Sequence, residues 1–166
     1  MSEETEDILI KTLMGEDELG AIVRSHILIE NLILRLLELL IPYQEHLEKI
    51  RLGYRHKVDL VLAMGLKPQY GPPLLQFGKI RNDFAHKPDI KLTSKHVNDL
   101  YGAMHAEDRK VVLIGFENTK RQISGSTSKA FKKLDPIDRF ILIVVSLRAV
   151  LLAAIIEIEN EINKTT

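Results

Sequence analysis

The chain has 166 residues, the size of one ordinary domain and long enough to bury a substantial core without disulfides or metals. Apolar residues make up 45% and charged residues 28%, a balance too apolar for disorder. There is no cysteine, which excludes disulfide frameworks, thiolate metal sites and cysteine nucleophiles and fits a reducing, cytoplasmic compartment. The formal net charge is zero, whereas a protein that grips nucleic acid unaided usually carries a basic surplus.

The charge is unevenly spread. Met1 to Glu18 holds seven acids and one lysine, net −6, and nothing in this acidic start resembles the basic, then apolar, opening of a secretory signal. The span from Arg109 to Lys133 holds seven cations (Arg109, Lys110, Lys120, Arg121, Lys129, Lys132 and Lys133) against Glu117 alone, net +6. Two such patches are either solvated surface or complementary docking segments, within one chain or between chains. The cationic one is the candidate for contacting nucleic acid or a partner.

Helical periodicity dominates beyond residues 1–17, which read as an acidic N-terminal segment. Leu19 to Ile41 carries apolar residues at 19, 22, 23, 29, 33, 36, 37 and 40, a helical stripe. Ile27, Leu28, Leu32, Leu34 and Leu39 widen it around most of the circumference, as expected of a central helix or one buried in an oligomer. Pro42 ends it. A second helix is predicted over Tyr54 to Met64, with Gly65 just past its end. After a turn-rich loop, Pro72 and Pro73 open a third helix that runs to about His86 and closes at Lys87-Pro88. Thr93 or Ser94 caps a fourth that reaches about Met104. Arg109 to Phe116 fits either a helix or a short strand around Val111-Val112-Leu113-Ile114. Residues 118–134 read as a basic, flexible loop. Asp135-Pro136-Ile137-Asp138 is a strong helix start, and the last helix extends to about Asn163. Its stretch from Phe140 to Ile158 is apolar enough to test as a membrane span, but Arg148 near its centre favours a core helix. With no repeat and no linker, residues 1–166 are expected to form one all-α domain, a multi-helix bundle with two long apolar helices.

Two segments carry candidate chemistry. Arg81, Asn82 and His86 lie within six residues at a predicted helix end. His26 and Glu30 are four apart on the first long helix, so they neighbour each other in an apolar setting. Such a pair is a proton switch, a site, or a satisfied core or interface pair. The six histidines (His26, His46, His56, His86, His96 and His105) form no metal-binding spacing, and there is no phosphate loop or dinucleotide fingerprint, so no metal or cofactor is expected.

Arg81-Asn82 followed by Phe84-Ala85-His86 resembles the arginine-asparagine…alanine-histidine segment of the mannitol operon repressor family. Ile22-Val23-Arg24-Ser25-His26-Ile27-Leu28-Ile29-Glu30 is similar to the same family's first long helix, and the resemblance runs roughly from Asp17 to Ile158. It implies an all-helical transcriptional regulator of mannitol genes. No helix-turn-helix pattern, basic region or zinc-finger spacing is present, so such a repressor would act through a protein partner rather than by reading the operator.

The same segment also resembles the arginine-x4-histidine motif of the helical nucleotide-binding (HEPN) superfamily, whose active members are ribonucleases. That resemblance implies His86 as proton carrier, Arg81 as stabiliser of phosphate charge and Asn82 as a substrate-orienting group. Five residues of regular helix turn through about 500°, so Arg81 and His86 would need a frayed end or a second subunit to meet. The plainer alternative has Arg81 and Asn82 bonded to Glu30 or loop carbonyls and His86 capping its helix; a pocket for a small molecule or partner is the third. The surplus of apolar surface on both long helices predicts a homo-oligomer, and an oligomeric interaction protein is the further functional alternative.

Overall fold

The computed structural model describes residues 3–47, 49–87, 89–119 and 130–165. Among the described residues eight α-helices follow in chain order: α1 (Glu3–Met14), α2 (Glu18–Leu40), α3 (Gln44–Leu47), α4 (Tyr54–Ala63), α5 (Gly71–His86), α6 (Ser94–Ala103), α7 (Ala106–Thr119) and α8 (Pro136–Thr165). Single 3₁₀ turns at Pro68–Tyr70 and Phe131–Lys133 precede α5 and α8, and no strand occurs among the described residues. The chain is an all-α bundle. Its long helices α2 and α8 pack on each other most extensively, α4 and α5 cover α2, and α1, α6 and α7 lie against α8.

Local signals set many of the boundaries. Asp17 caps α2 by accepting a hydrogen bond from Gly20 N at 2.6 Å, and Ile41 leaves the helix in extended conformation before Pro42. Gly65 turns α4 off with φ +118°, a value that favours glycine, and the Leu66 N–H returns to Val61 O at 3.0 Å. Thr93 and His96 form a reciprocal capping box at the start of α6.

Three elements depart from the expectations of the sequence, and a further one settles an alternative that the sequence left open. The acidic start is helix α1, docked on α8 and α2 through the buried Ile10 and Leu13. Residues 106–119 are helix throughout: Val112 and Phe116, one turn apart, face the core while Ile114 between them is exposed, whereas a strand would put all three on one face. The basic loop expected over 118–134 is not loop at either end. Asn118 and Thr119 complete α7, while Phe131 and Leu134 are buried, and the Arg139 guanidinium lies over the Phe131 ring at 5.2 Å. Lys120, Arg121 and Lys129 lie outside the described residues. Finally, the apolar stripe of α2 is divided: Ile22, Ile29, Ile33, Leu36 and Leu37 enter the core, whereas Leu19, Val23 and Ile27 are about half exposed.

The core is organised around aromatic rings. Phe77 of α5 stacks on Phe140 of α8 at 5.8 Å between centroids, and both are fully buried. On its other side Phe77 meets the imidazole of His26 at 5.9 Å, which in turn contacts Tyr54 at 4.6 Å. Glycines bring α4 close to α5. A Cβ on Gly78 would come 2.6 Å from the Tyr54 ring, and one on Gly71 would come 2.8 Å from a Leu62 methyl. α8 is also long and apolar enough to cross a membrane by length and composition, with 50% of its most apolar window buried inside the bundle.

Phe77→Ala is expected to lower unfolding free energy by about 3–5 kcal/mol, Gly78→Ala by about 1–3 kcal/mol, and Ile114→Ala, on an exposed face, by less than about 0.5 kcal/mol. Urea denaturation followed by circular dichroism measures all three; equal losses for Phe77→Ala and Ile114→Ala would contradict this packing.

Candidate binding face

The two sequence segments of interest come together across the α2, α4 and α5 junction. His26 lies on the inner side of α2 and is 4% exposed. Its surroundings are the Tyr54 and Phe77 rings, which sequence periodicity along α2 cannot reveal. Its Nδ1 lies 3.4 Å from Glu30 Oε2, one turn along the same helix. Glu30 is also held from α4, where Lys57 Nζ donates to Oε1 at 2.7 Å. The Tyr54 hydroxyl donates to Leu74 O at 3.1 Å, joining α4 to α5.

Burial governs the titration of this cluster. It holds His26 below the ordinary histidine range; the Glu30 carboxylate opposes that shift, and the charges of Arg81 and Lys57 add to it. Burial, reinforced by Glu30, likewise pushes the Tyr54 phenol far above its usual range. A neutral imidazole fits these surroundings, with Nδ1–H turned to Glu30 as the assigned tautomer. Nε2 is then a buried acceptor with no hydrogen-bond partner among the described residues. The arrangement is a neutral His26 beside the Glu30–Lys57 ion pair, packed against the Tyr54 and Phe77 rings. Lys57, whose partner is 27 residues earlier on another helix, had no sequence signal.

The Arg81…His86 segment lies on the last turns of α5 and is mostly turned outward. Only Phe84 among its six residues enters the core. Arg81 Nη1 donates to Asn82 Oδ1 at 3.1 Å, so the expected bonds from Arg81 and Asn82 to Glu30 are replaced: Glu30 is occupied by Lys57 and His26. Asp83 accepts from Lys87 at 3.1 Å, and that bond holds its carboxyl below the usual range. His86 is exposed and makes no hydrogen bond among the described residues; the helix is closed by Lys87 N–H to Asp83 O instead. The helix stays regular through His86, which keeps Arg81 and His86 about 140° apart around its axis. One chain therefore does not assemble them into a catalytic pair.

An open groove of about 720 Å³ runs between the amino end of α4 and the outer face of α5. Arg81 and Asn82 line it, together with His56 and the cations Arg55 and Lys79, which motif reading passed over. By contrast, the described members of the 109–133 basic patch do not make a free cationic surface. Arg109 lies over the Tyr101 ring at 5.9 Å and Lys110 is bonded to Glu107 at 2.8 Å, leaving Lys132 and Lys133 exposed on their 3₁₀ turn. Among the described residues, no group of three or more histidine or carboxylate side chains could hold a metal ion. Comparison of the chain with protein-family models, curated proteins and solved structures finds no match.

The depressed His26 value has a signed consequence. In the unfolded chain the imidazole titrates near 6.5 and in the folded chain below that. As pH falls through about 6.5, the unfolded state takes up a proton that the folded state refuses, so stability declines until pH passes the folded value. His26→Phe should remove this component and flatten the stability profile between about pH 7.5 and 5. Urea midpoints of the two proteins across that range test it; parallel profiles would contradict a buried neutral histidine.

Proposed function

We propose that the chain is a transcriptional regulator of the mannitol operon repressor type, cytoplasmic, and that it works by holding a protein partner on the α4–α5 face rather than by reading DNA itself. One observation carries this reading. The two stretches that resemble that family, distant in sequence, meet at a single junction, where α2 supplies the buried His26–Glu30 support and α5 displays Arg81 and Asn82 outward. Among the described residues neither Arg81 nor Asn82 bonds to another helix, which supports their being available to a partner. The absence of a net basic charge favours a protein contact over an unaided grip on the operator.

Arg81→Ala and Asn82→Ala should derepress a mannitol-gene reporter while melting temperature stays unchanged. Fluorescence anisotropy should find no preference of the purified protein for DNA from upstream of those genes over an unrelated duplex. Tight, sequence-selective binding would make the protein a direct repressor, and intact repression by both variants would remove this face from its function.

The exposed positions of Arg81 and His86 also support a second reading, a ribonuclease or nucleotide-binding module of the HEPN kind. It requires a second copy to bring His86 toward Arg81. Cleavage of RNA that is lost in both Arg81→Ala and His86→Ala would favour it.

Self-association is compatible with either reading. Leu19, Val23 and Ile27 recur one turn apart along the outside of α2 at 51%, 41% and 53% exposure, an apolar strip that suits contact with another copy. Light scattering at micromolar concentration should give more than one chain mass, and Val23→Lys with Ile27→Lys should reduce it to one. A wild-type monomer would exclude self-association.

A further inference from the structure

The α4–α5 groove gathers three cations, Arg55, Lys79 and Arg81, against one acid in its lining, Asp83. Several exposed cations elsewhere are matched with acids at close range: Lys95 with Asp99 at 2.6 Å, Lys110 with Glu107 at 2.8 Å, Arg24 with Glu16 at 2.7 Å and Arg35 with Glu159 at 3.1 Å. Around the groove the pattern fails. Lys79 has no ion pair among the described residues, Arg81 bonds only to the neutral Asn82, and Arg55 reaches Asp59 only at 3.7 Å. The single acid in the lining, Asp83, is already committed to Lys87. In a chain of zero net charge, three cations from two helices thus line one cavity with a single acid among them.

The other walls narrow the ligand's chemistry. Pro72 and Leu75 on α5 give the groove an apolar side, and its volume of about 720 Å³ suits a small organic molecule. Two arginines and a lysine match the several acceptor oxygens and double charge of a phosphate monoester better than a carboxylate's single charge. The amino end of α4, which has no side-chain cap, adds backbone donors on the same side.

We infer that this groove is a binding site for an organic phosphate, a phosphate monoester on a small apolar body. The inference rests on the regulatory reading of the same face, with the phosphate as the small-molecule signal that sets partner binding.

The test uses the full chain and four probes, phenyl phosphate, inorganic phosphate, benzoate and sulfate, in calorimetric titrations at moderate salt. Phenyl phosphate should bind saturably, several-fold tighter than inorganic phosphate and at least about tenfold tighter than benzoate or sulfate. Arg81→Gln and Lys79→Gln, both at solvent-facing positions, should each weaken phenyl phosphate about tenfold or more at unchanged melting temperature. Absence of saturable binding, or equal binding of all four anions that vanishes with salt, overturns the proposal. The regulatory reading fails separately. If Arg81→Ala derepresses the reporter but no phosphate binds, the groove is a protein-docking surface and the phosphate site is rejected. If phenyl phosphate binds as expected while repression is untouched, the site stands and the regulatory role falls.

Discussion

A histidine inside a helical core constrains everything around it. His26 is held between Tyr54 and Phe77, and the Phe77 ring continues the contact to Phe140, so one column of rings connects α4, α2, α5 and α8. Placing an imidazole there is costly unless its polar atoms are satisfied. Glu30 supplies an acceptor for one ring nitrogen, and a carboxylate at that depth in turn requires the Lys57 ammonium from α4. The position of α4 on α2 is therefore fixed twice, by aromatic packing and by charge compensation. The Tyr54 hydroxyl to Leu74 carbonyl bond extends the same junction to α5.

That rigidity is what gives the outer face a defined shape. α5 approaches α4 closely because Gly71 and Gly78 offer no side chain where Leu62 and Tyr54 press against it. With its inner side anchored by Leu74, Phe77, Ile80 and Phe84, the helix presents Lys79, Arg81 and Asn82 from a fixed backbone. Residues that support and residues that display alternate along one helix at the period of its turn. The charge buried beneath also reaches the surface above: Arg81 is near enough to His26 to help keep the imidazole neutral. A ligand or partner that neutralised Arg81 would change the electrostatics of the core cluster as well as of the groove.

The candidate site was only partly legible in the sequence. His26, Glu30, Arg81, Asn82 and His86 stood out because motif spacing is local, and the i, i+4 relation of His26 and Glu30 was correctly geometric. Their roles were not legible. Glu30 was a candidate partner for Arg81, but it binds Lys57, because which side chain of another helix reaches a carboxylate depends on interhelical distance and rotation. Arg55, His56 and Lys79 look like ordinary solvated charges until α4 and α5 are laid side by side. The 109–133 basic run shows the converse. A strong charge bias in sequence is partly consumed in the fold by a tyrosine ring and a neighbouring glutamate.

The sequence by itself determined the helical class, the central pair α2 and α8, and the stops at Pro42, Gly65 and Lys87, because periodicity, caps and prolines act over one or two turns. Tertiary structure decided the elements whose local signals were weak or divided. α1 opens on four acids and gains its place from two buried side chains against α8, and residues 106–119 choose helix over strand because Val112 and Phe116 enter the core while Ile114 between them stays exposed. Phe131 and Leu134 anchor the end of a run that composition alone describes as solvated. In each case the deciding free energy is burial against a helix distant in the chain, and a local reading of sequence contains no term for that.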